Sequence, residues 1–248
     1  MNPLVAQNIT VRRAARVIMQ DVSLEFRAGE VTAIIGANGS GKSTLLAALA
    51  GLRDLQHSEG QVLLGGLDLR TISKSAIAKK LAFLPAHSSV PFPLTVQELI
   101  LLAEPDQTAY QTALAAMELA ALEYKPVTQL STGEAKRAWL AMTLSRQTPI
   151  VLLDEPLAGL DPRYQMRLLE TLQTRANAGA CVVFIAHDIP YAARANRVIA
   201  LNAQKVAADG IPQAVLRPDL LRQLYGVEVW IGSEPSTGAL VPLPTRAV

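Results

Sequence analysis

Apolar residues along this chain follow two different periods. Residues 22–26 alternate between apolar and polar side chains, which predicts strands over residues 4–35. Residues 150–153 and 181–186 are continuous apolar runs, the pattern of strands that are buried on both faces of a parallel sheet. A helical period over residues 161–177 separates these two runs, so the pattern predicts an α/β fold.

The middle of the chain shows the helical period alone. It predicts helices over residues 95–103, 106–123 and 134–146, and Glu98 follows Thr95 at the spacing of a capping box. The remaining predicted elements are strands at 60–69, 81–84, 198–201 and 205–208 and helices at 73–80 and 218–225. Proline and glycine recur from residue 231 onward, which predicts a loosely held tail.

Composition narrows the class of protein. Half of the 248 residues are hydrophobic and the net charge is +2, which excludes an intrinsically disordered chain and gives no indication of a nucleic-acid partner. The single cysteine, Cys181, excludes a disulfide framework, and its apolar neighbours predict a buried thiol in a reducing compartment. We expect neither a secretory signal nor a membrane span, since no apolar run reaches about 18 residues.

The most specific chemical pattern is a glycine-rich loop over residues 36–44, GANGSGKST, which matches G-x-x-x-x-G-K-[ST]. The loop follows the apolar run 31–35 and precedes a helical pattern, and it is otherwise interpreted as a plain turn that caps a helix. Its N–H groups suit phosphate oxygens, Lys42 suits the β- and γ-phosphates, and the Ser43 hydroxyl suits Mg²⁺. The candidate nucleotide-binding residues here are Gly36, Asn38, Gly39, Ser40, Gly41, Lys42, Ser43 and Thr44.

Two adjacent carboxylates, Asp154 and Glu155, end the apolar run 150–153. Strand side chains alternate, which predicts that the two point to opposite faces of the sheet. Asp154 is then the candidate ligand of Mg²⁺ together with Ser43, and Glu155 is the candidate general base for an attacking water. Taken alone, the pair also fits a helix cap or a surface ion pair.

Residues 130–134, LSTGE, resemble the signature sequence of the ATP-binding cassette (ABC) ATPases. The order of the phosphate loop, the signature, Asp154-Glu155, Asp161 and His187 also follows that family, and the resemblance covers residues 4–226. It implies a P-loop NTPase (RecA-like) core with an antiparallel β subdomain and an inserted all-helical subdomain. The resemblance implies one ABC ATPase domain at 1–230, followed by a tail at 231–248. Within that domain, the core and β subdomain would span 1–86 and 147–230, and the helical subdomain would span 87–146.

The resemblance also implies roles for residues outside the phosphate loop. His187 becomes a catalytic residue beside Glu155, because it matches the family's switch histidine at the γ-phosphate. Ser131 and Gly133 would bind the ATP of a second copy of this chain, and Asp161 would lie in the loop that contacts that copy. Arg13 stands where the family has an aromatic residue against adenine; it is equally well interpreted as a solvated charge.

Two further departures from the family pattern change the expectations. Ala86 replaces the glutamine at the junction with the helical insert, which predicts weaker placement of Mg²⁺ and water. Thr132 replaces the first glycine of the signature, which predicts a looser clamp on the partner's ATP. Because Lys42, Asp154, Glu155 and His187 are all present, we still expect ATP hydrolysis.

The resemblance implies a peripheral subunit at the cytoplasmic face of a membrane. Its partners would be a second copy of itself, a multi-span permease dimer and, indirectly, a substrate-binding protein. Residues 91–99 and 221–229 resemble the corresponding segments in the ATPases of importers for iron chelates, haem or cobalamin. Residues 101–106, however, look shorter than the segment that this group usually carries after the first insert helix. The alternatives are a soluble ABC-type ATPase that is not coupled to transport, and an ATP-clamping module with weak turnover.

Overall fold

The computed structural model describes residues 3–13, 16–52, 59–90, 92–235, 238 and 240–247. The strands are β1 (Leu4–Arg13), β2 (Arg16–Phe26), β3 (Glu30–Ile35), β4 (Glu59–Leu64), β5 (Leu67–Asp68), β6 (Leu81–Leu84), β7 (Ile150–Leu153), β8 (Cys181–Ile185), β9 (Arg197–Asn202), β10 (Lys205–Gly210), β11 (Val227–Ser233) and β12 (Leu240–Ala247). The α-helices are α1 (Lys42–Leu49), α2 (Lys74–Ala78), α3 (Val96–Leu101), α4 (Gln107–Ala116), α5 (Thr132–Ser145), α6 (Pro162–Asn177), α7 (Ile189–Ala192), α8 (Pro212–Val215) and α9 (Pro218–Tyr225).

A six-stranded sheet in the order β10-β9-β3-β8-β7-β6 forms the centre of the fold. Five of its strands are parallel, and β10 pairs antiparallel with β9 at one edge. β7 and β8 are buried along their whole length, as their continuous apolar sequences predict. The predicted core thiol is confirmed, because Cys181 lies in β8 and burial raises its pKa to about 12.

Successive side chains of the central strands enter two different cores. Ala33 and Phe184 pack on the face that is covered by the helices α3 to α6. Ile34 and Leu152 pack on the other face, against α1 and a four-stranded antiparallel sheet with the order β2-β1-β4-β5. The predicted P-loop core with an antiparallel β subdomain is therefore confirmed.

Helices α3, α4 and α5 form the helical segment between β6 and β7. The predicted capping box closes the start of α3, where Thr95 and Glu98 bond each other's backbone N–H groups. The predicted helix 106–123 is wrong in its length, because α4 ends at Ala116 and Glu118 adopts a φ of 50°. Arg137 of α5 donates hydrogen bonds to the carbonyl oxygens of Met117 (2.6 Å) and Glu118 (3.0 Å), so a distant side chain stabilises this break.

The carboxyl-terminal segment differs from the predicted loose tail. Helix α9 ends at Gly226 in the left-handed region, as predicted, and β11 and β12 then form an antiparallel pair. Val229 of β11 is buried, and β12 tolerates its two prolines because it is an edge strand. A boundary at residue 231 would cut β11, so the structure does not separate a tail there.

Candidate active site

The phosphate loop connects the carboxyl end of β3 to the amino terminus of α1. Two of its glycines are required by close backbone contacts as well as by positive φ angles. A Cβ atom at Gly36, where φ is 148°, would lie 2.4 Å from the carbonyl oxygen of Leu201. A Cβ atom at Gly41, where φ is 101°, would lie 2.9 Å from the carbonyl oxygen of Ile18. The fold around the loop therefore selects glycine at both positions.

An open cleft of about 360 Å³ lies against this loop. Loop residues line one part of the cleft, and apolar side chains from β1 and β2 line another part, the apolar wall. The lining residues are Val11, Arg16, Val17, Ile18, Asn38, Gly39, Gly41, Lys42, Ser43, Thr44, Glu155 and Gln204. A lining that combines polar loop groups with aliphatic side chains suits a nucleotide, with its phosphates on the loop and its base on the apolar wall.

Lys42 is held inside the loop by the backbone. Its Nζ donates hydrogen bonds to the carbonyl oxygens of Gly36 (2.7 Å) and Ala37 (3.0 Å), and the residue is only 6% exposed. Burial lowers the pKa of Lys42, while the nearby charges of Glu155 and Asp154 raise it. The ammonium group is thus fixed at the position where the loop can bind phosphate.

The Ser40 hydroxyl oxygen in the same loop is buried and has no hydrogen-bond partner. Within the part of the chain that the structure describes, only the Ser88 hydroxyl shares this condition. Buried hydroxyl groups almost always have a partner, so both positions fit contact with a polar ligand or water.

Ser43 lines the cleft, and its hydroxyl donates a hydrogen bond of 3.2 Å to Oδ1 of the buried Asp154. Burial raises the pKa of Asp154, and the bond from Ser43 acts in the opposite direction. No cluster of three or more His, Cys, Asp or Glu side chains suitable for a metal exists among the described residues. One carboxylate and one hydroxyl nevertheless fit Mg²⁺, which takes most of its remaining oxygen ligands from phosphates and water.

The side chain of Glu155 departs from that of Asp154 for a reason other than the alternation of side chains along a strand. β7 ends at Leu153, and Glu155 adopts a φ of 47°. Its side chain therefore lines three neighbouring cavities: the phosphate-loop cleft, a cavity of about 200 Å³ that it shares with His187, and one of about 550 Å³ that it shares with Ala86. A carboxylate in this place can accept a proton from a water between the phosphate loop and His187.

The signature residues lie apart from the phosphate-loop cleft and are not among its lining residues. Ser131 caps α5: its Oγ accepts a hydrogen bond from the N–H of Glu134 (3.3 Å), and its own N–H donates to Glu134 Oε2 (2.8 Å). Ser131 and Thr132 are exposed, and the hydroxyl proton of Ser131 stays free to donate outward. A Cβ atom at Gly133 would lie 3.1 Å from the carbonyl oxygen of Gly159, so the signature packs on the loop that leads to Asp161.

A family model described as ABC transporter matches residues 19–158, more than half of the chain. The chain belongs to the ABC transporter family. This ABC ATPase is 38% identical to the hemin import ATP-binding protein HmuV of Streptomyces coelicolor, over 98% of this chain and 90% of the relative. It is 38% identical to the petrobactin import ATP-binding protein FpuC of Bacillus anthracis, over 87% of this chain and 85% of the relative.

The fold of this ABC ATPase is also found in solved structures. A chain of an inward-facing ABC transporter, described as of the metal-chelate type, superposes with a TM-score of 0.80 and 22% identity, and 98% of each chain is covered. Among the described residues of the ABC ATPase, none of the helices has the length and apolar character that crossing a membrane requires.

Three site residues were not found from the sequence. Arg16 lines the cleft beside the apolar wall. Only the backbone of Arg13 lies within the described part of the chain, and it pairs with the backbone of Arg16 between β1 and β2. The hydroxyl of Tyr225 accepts a hydrogen bond of 2.9 Å from the N–H of Gly36, which ties α9 to the phosphate loop. Lys136 of α5 reaches the carbonyl oxygen of Ala86. No spacing in the sequence signals these long-range contacts.

Proposed function

We propose that this ABC ATPase is the ATP-hydrolysing subunit of an importer for haem or an iron chelate. The observation that carries the proposal is the similarity, over nearly the whole chain, to ATP-binding proteins named for the import of hemin and of petrobactin. Both cargoes are small molecules that carry or chelate iron, which favours this class over other cargoes.

The proposed hydrolysis begins with ATP in the phosphate-loop cleft. Lys42 and the loop N–H groups bind the β- and γ-phosphates, and Ser43 and Asp154 hold Mg²⁺, which neutralises phosphate charge when bound. Glu155 accepts the proton of the attacking water, and His187 bonds the γ-phosphate from the neighbouring cavity. The Ser43–Asp154 hydrogen bond and the shared position of Glu155 support these assignments.

The proposed active unit is a two-fold dimer. Ser131 and Gly133 at the exposed amino terminus of α5 would bind the γ-phosphate held by the second copy, and Asp161 would contact that copy. Asp161 begins α6 without a side-chain capping bond, so its carboxylate is free for such a contact. The separation of the signature from its own chain's cleft supports this arrangement.

The proposed permease contact lies on the helical segment. Several large apolar side chains are exposed there, including Phe92 (64%), Leu102 (61%) and Tyr124 (71%). Exposed apolar side chains of this kind suit a protein partner, and we place a helix of the permease dimer against them. The subunit would then sit at the cytoplasmic face of the membrane, and a substrate-binding protein would deliver the cargo on the other side.

A matched pair of leucine variants tests the proposal. Leu102→Asp should abolish uptake of haem or ferric siderophore into vesicles that hold the permease, while ATP hydrolysis by the isolated subunit stays unchanged. Leu67→Asp, at a leucine that is equally exposed (59% against 61%) but lies in the β subdomain, should leave both activities intact. Purification of the chain with soluble proteins and no permease would favour the uncoupled ATPase instead.

A further inference from the structure

Lys136 carries a charge that the proposed reaction leaves unused. It lies one helical turn after Thr132 on α5, and both residues line the cavity of about 550 Å³ that Glu155 also lines. The residue is partly buried, and burial lowers its pKa, whereas the charges of Asp154 and Glu155 raise it. No carboxylate within the described residues lies within 4.0 Å of its Nζ.

The only hydrogen bond of this ammonium group among the described residues joins Nζ to the carbonyl oxygen of Ala86, at 3.4 Å. An N–H···O hydrogen bond in a protein is normally about 2.7–3.2 Å long, and an ammonium group has three donors. The ammonium group of Lys136 is therefore only weakly hydrogen-bonded in a partly buried position.

Polar side chains, among them Ser88, Thr132 and Glu155, line this cavity, but within the described residues none of them bonds the ammonium group of Lys136. The side chain of Ala86 is only a methyl group, and the hydroxyl oxygen of Ser88, which also lines the cavity, is buried without a hydrogen-bond partner. Glu155 forms a wall shared by this cavity and the phosphate-loop cleft. An anion that reaches from the cleft past Glu155 would thus meet both the ammonium group and an unpaired hydroxyl.

We propose that Lys136 is a further catalytic residue, whose ammonium group binds the terminal phosphate of ATP from the cavity beside Glu155 and Ala86. This inference rests on ATP hydrolysis and not on the proposed cargo or permease. An ammonium group repels Mg²⁺, so Lys136 does not replace a metal ligand. Its positive charge instead offsets the negative charge of the γ-phosphate. ADP lacks that phosphate, so Lys136 should discriminate between ATP and ADP.

The test compares Lys136→Met with Lys136→Arg, which retains the charge, and with Lys74→Met, at an exposed lysine of α2. We expect Lys136→Met to lower turnover by about tenfold or more, and Lys136→Arg to retain most of it. In a Glu155→Gln background, Lys136→Met should weaken ATP binding by about tenfold and ADP binding by less than about twofold. Lys74→Met should change none of these values.

Two results would overturn the inference. Wild-type turnover in Lys136→Met would show that the charge takes no part in the reaction. An equal loss of ATP and ADP affinity, accompanied by a lower melting temperature, would show that Lys136 only anchors the loop at Ala86. If the wild-type protein hydrolyses ATP but no permease or uptake is found, the proposed importer fails while this inference remains testable on the isolated chain.

Discussion

The phosphate-loop end and the signature end of the active site are built in opposite ways. At the phosphate loop, Lys42 is almost fully buried and bonded to two carbonyl oxygens of its own loop. At the signature, Ser131 and Thr132 are exposed and supported only by local bonds within the first turn of α5. The first end is complete within one chain, whereas the second end offers donors to a surface outside it.

Glu155 stands between the two ends, because it lines both the phosphate-loop cleft and the cavity that contains Thr132. We therefore expect nucleotide binding and nucleotide hydrolysis to depend on different parts of the structure. Loss of Lys42 at the closed end should reduce binding, whereas loss of the exposed Ser131 hydroxyl at the open end should reduce turnover with ATP still bound.

The largest effect is expected at the residue between the two ends. Glu155→Gln keeps the size of the side chain but removes the base, so turnover should fall by at least about a hundredfold while ATP binding persists. A phosphate-release assay measures the first effect, and light scattering with ATP should detect a stable dimer. Glu170→Gln, at an exposed position of α6, is the control with normal turnover. Turnover within about tenfold of the wild type would remove Glu155 from its assigned role.

The second-largest effect is expected from loss of the buried charge of Lys42 at the closed end. Lys42→Met removes the ammonium group and leaves the carbonyl oxygens of Gly36 and Ala37 without their partner. We expect ATP affinity to fall by about thirtyfold or more, measured by equilibrium titration, because one partner of a buried charged contact is lost. Lys205→Met, at an exposed lysine, should bind normally. An unchanged affinity would mean that the loop does not hold the phosphates through Lys42.

Two variants can separate the proposed phosphate-binding role of Ser131 from its role as a helix cap. Ser131→Ala and Thr95→Ala each remove one capping box, so each should cost about 1 kcal/mol of unfolding free energy in urea titrations. Only Ser131→Ala should also lower turnover at saturating ATP, by about tenfold or less, because Ser131, unlike Thr95, belongs to the proposed site for the second copy's phosphate. Equal turnover in both variants would contradict a phosphate site at the signature.

The smallest effect is expected where the carboxyl-terminal helix meets the phosphate loop. Tyr225→Phe leaves the N–H of Gly36 without its acceptor, so the unfolding free energy should fall by about 1 kcal/mol and ATP affinity by a few-fold. Tyr110→Phe removes a hydroxyl bond to Glu123 in the helical segment and should affect stability alone. Matching nucleotide affinities for the two variants would show that the Tyr225 bond does not shape the loop.

Local signals in the sequence located most of the strands and the phosphate loop. The continuous apolar runs at β7 and β8 and the glycine pattern before α1 each depend on neighbours along the chain. The end of α4 was missed because it is stabilised by Arg137, twenty positions away from the carbonyl group that it bonds. The β11–β12 pair was missed because prolines and glycines disfavour a strand locally, while packing on α7 and α9 favours it here.

The sequence by itself determined the family, the phosphate loop and the order of the candidate catalytic residues, because each rests on short spacings that only a few chemistries require. Only the tertiary structure decided that Glu155 borders three cavities, that Tyr225 bonds the phosphate loop, and that Lys136 reaches the space beside Ala86. These relations join segments far apart in the chain, and they depend on how α5, α9 and β7 pack. Local residue patterns do not specify how these distant segments pack, so only the tertiary structure gives that geometry.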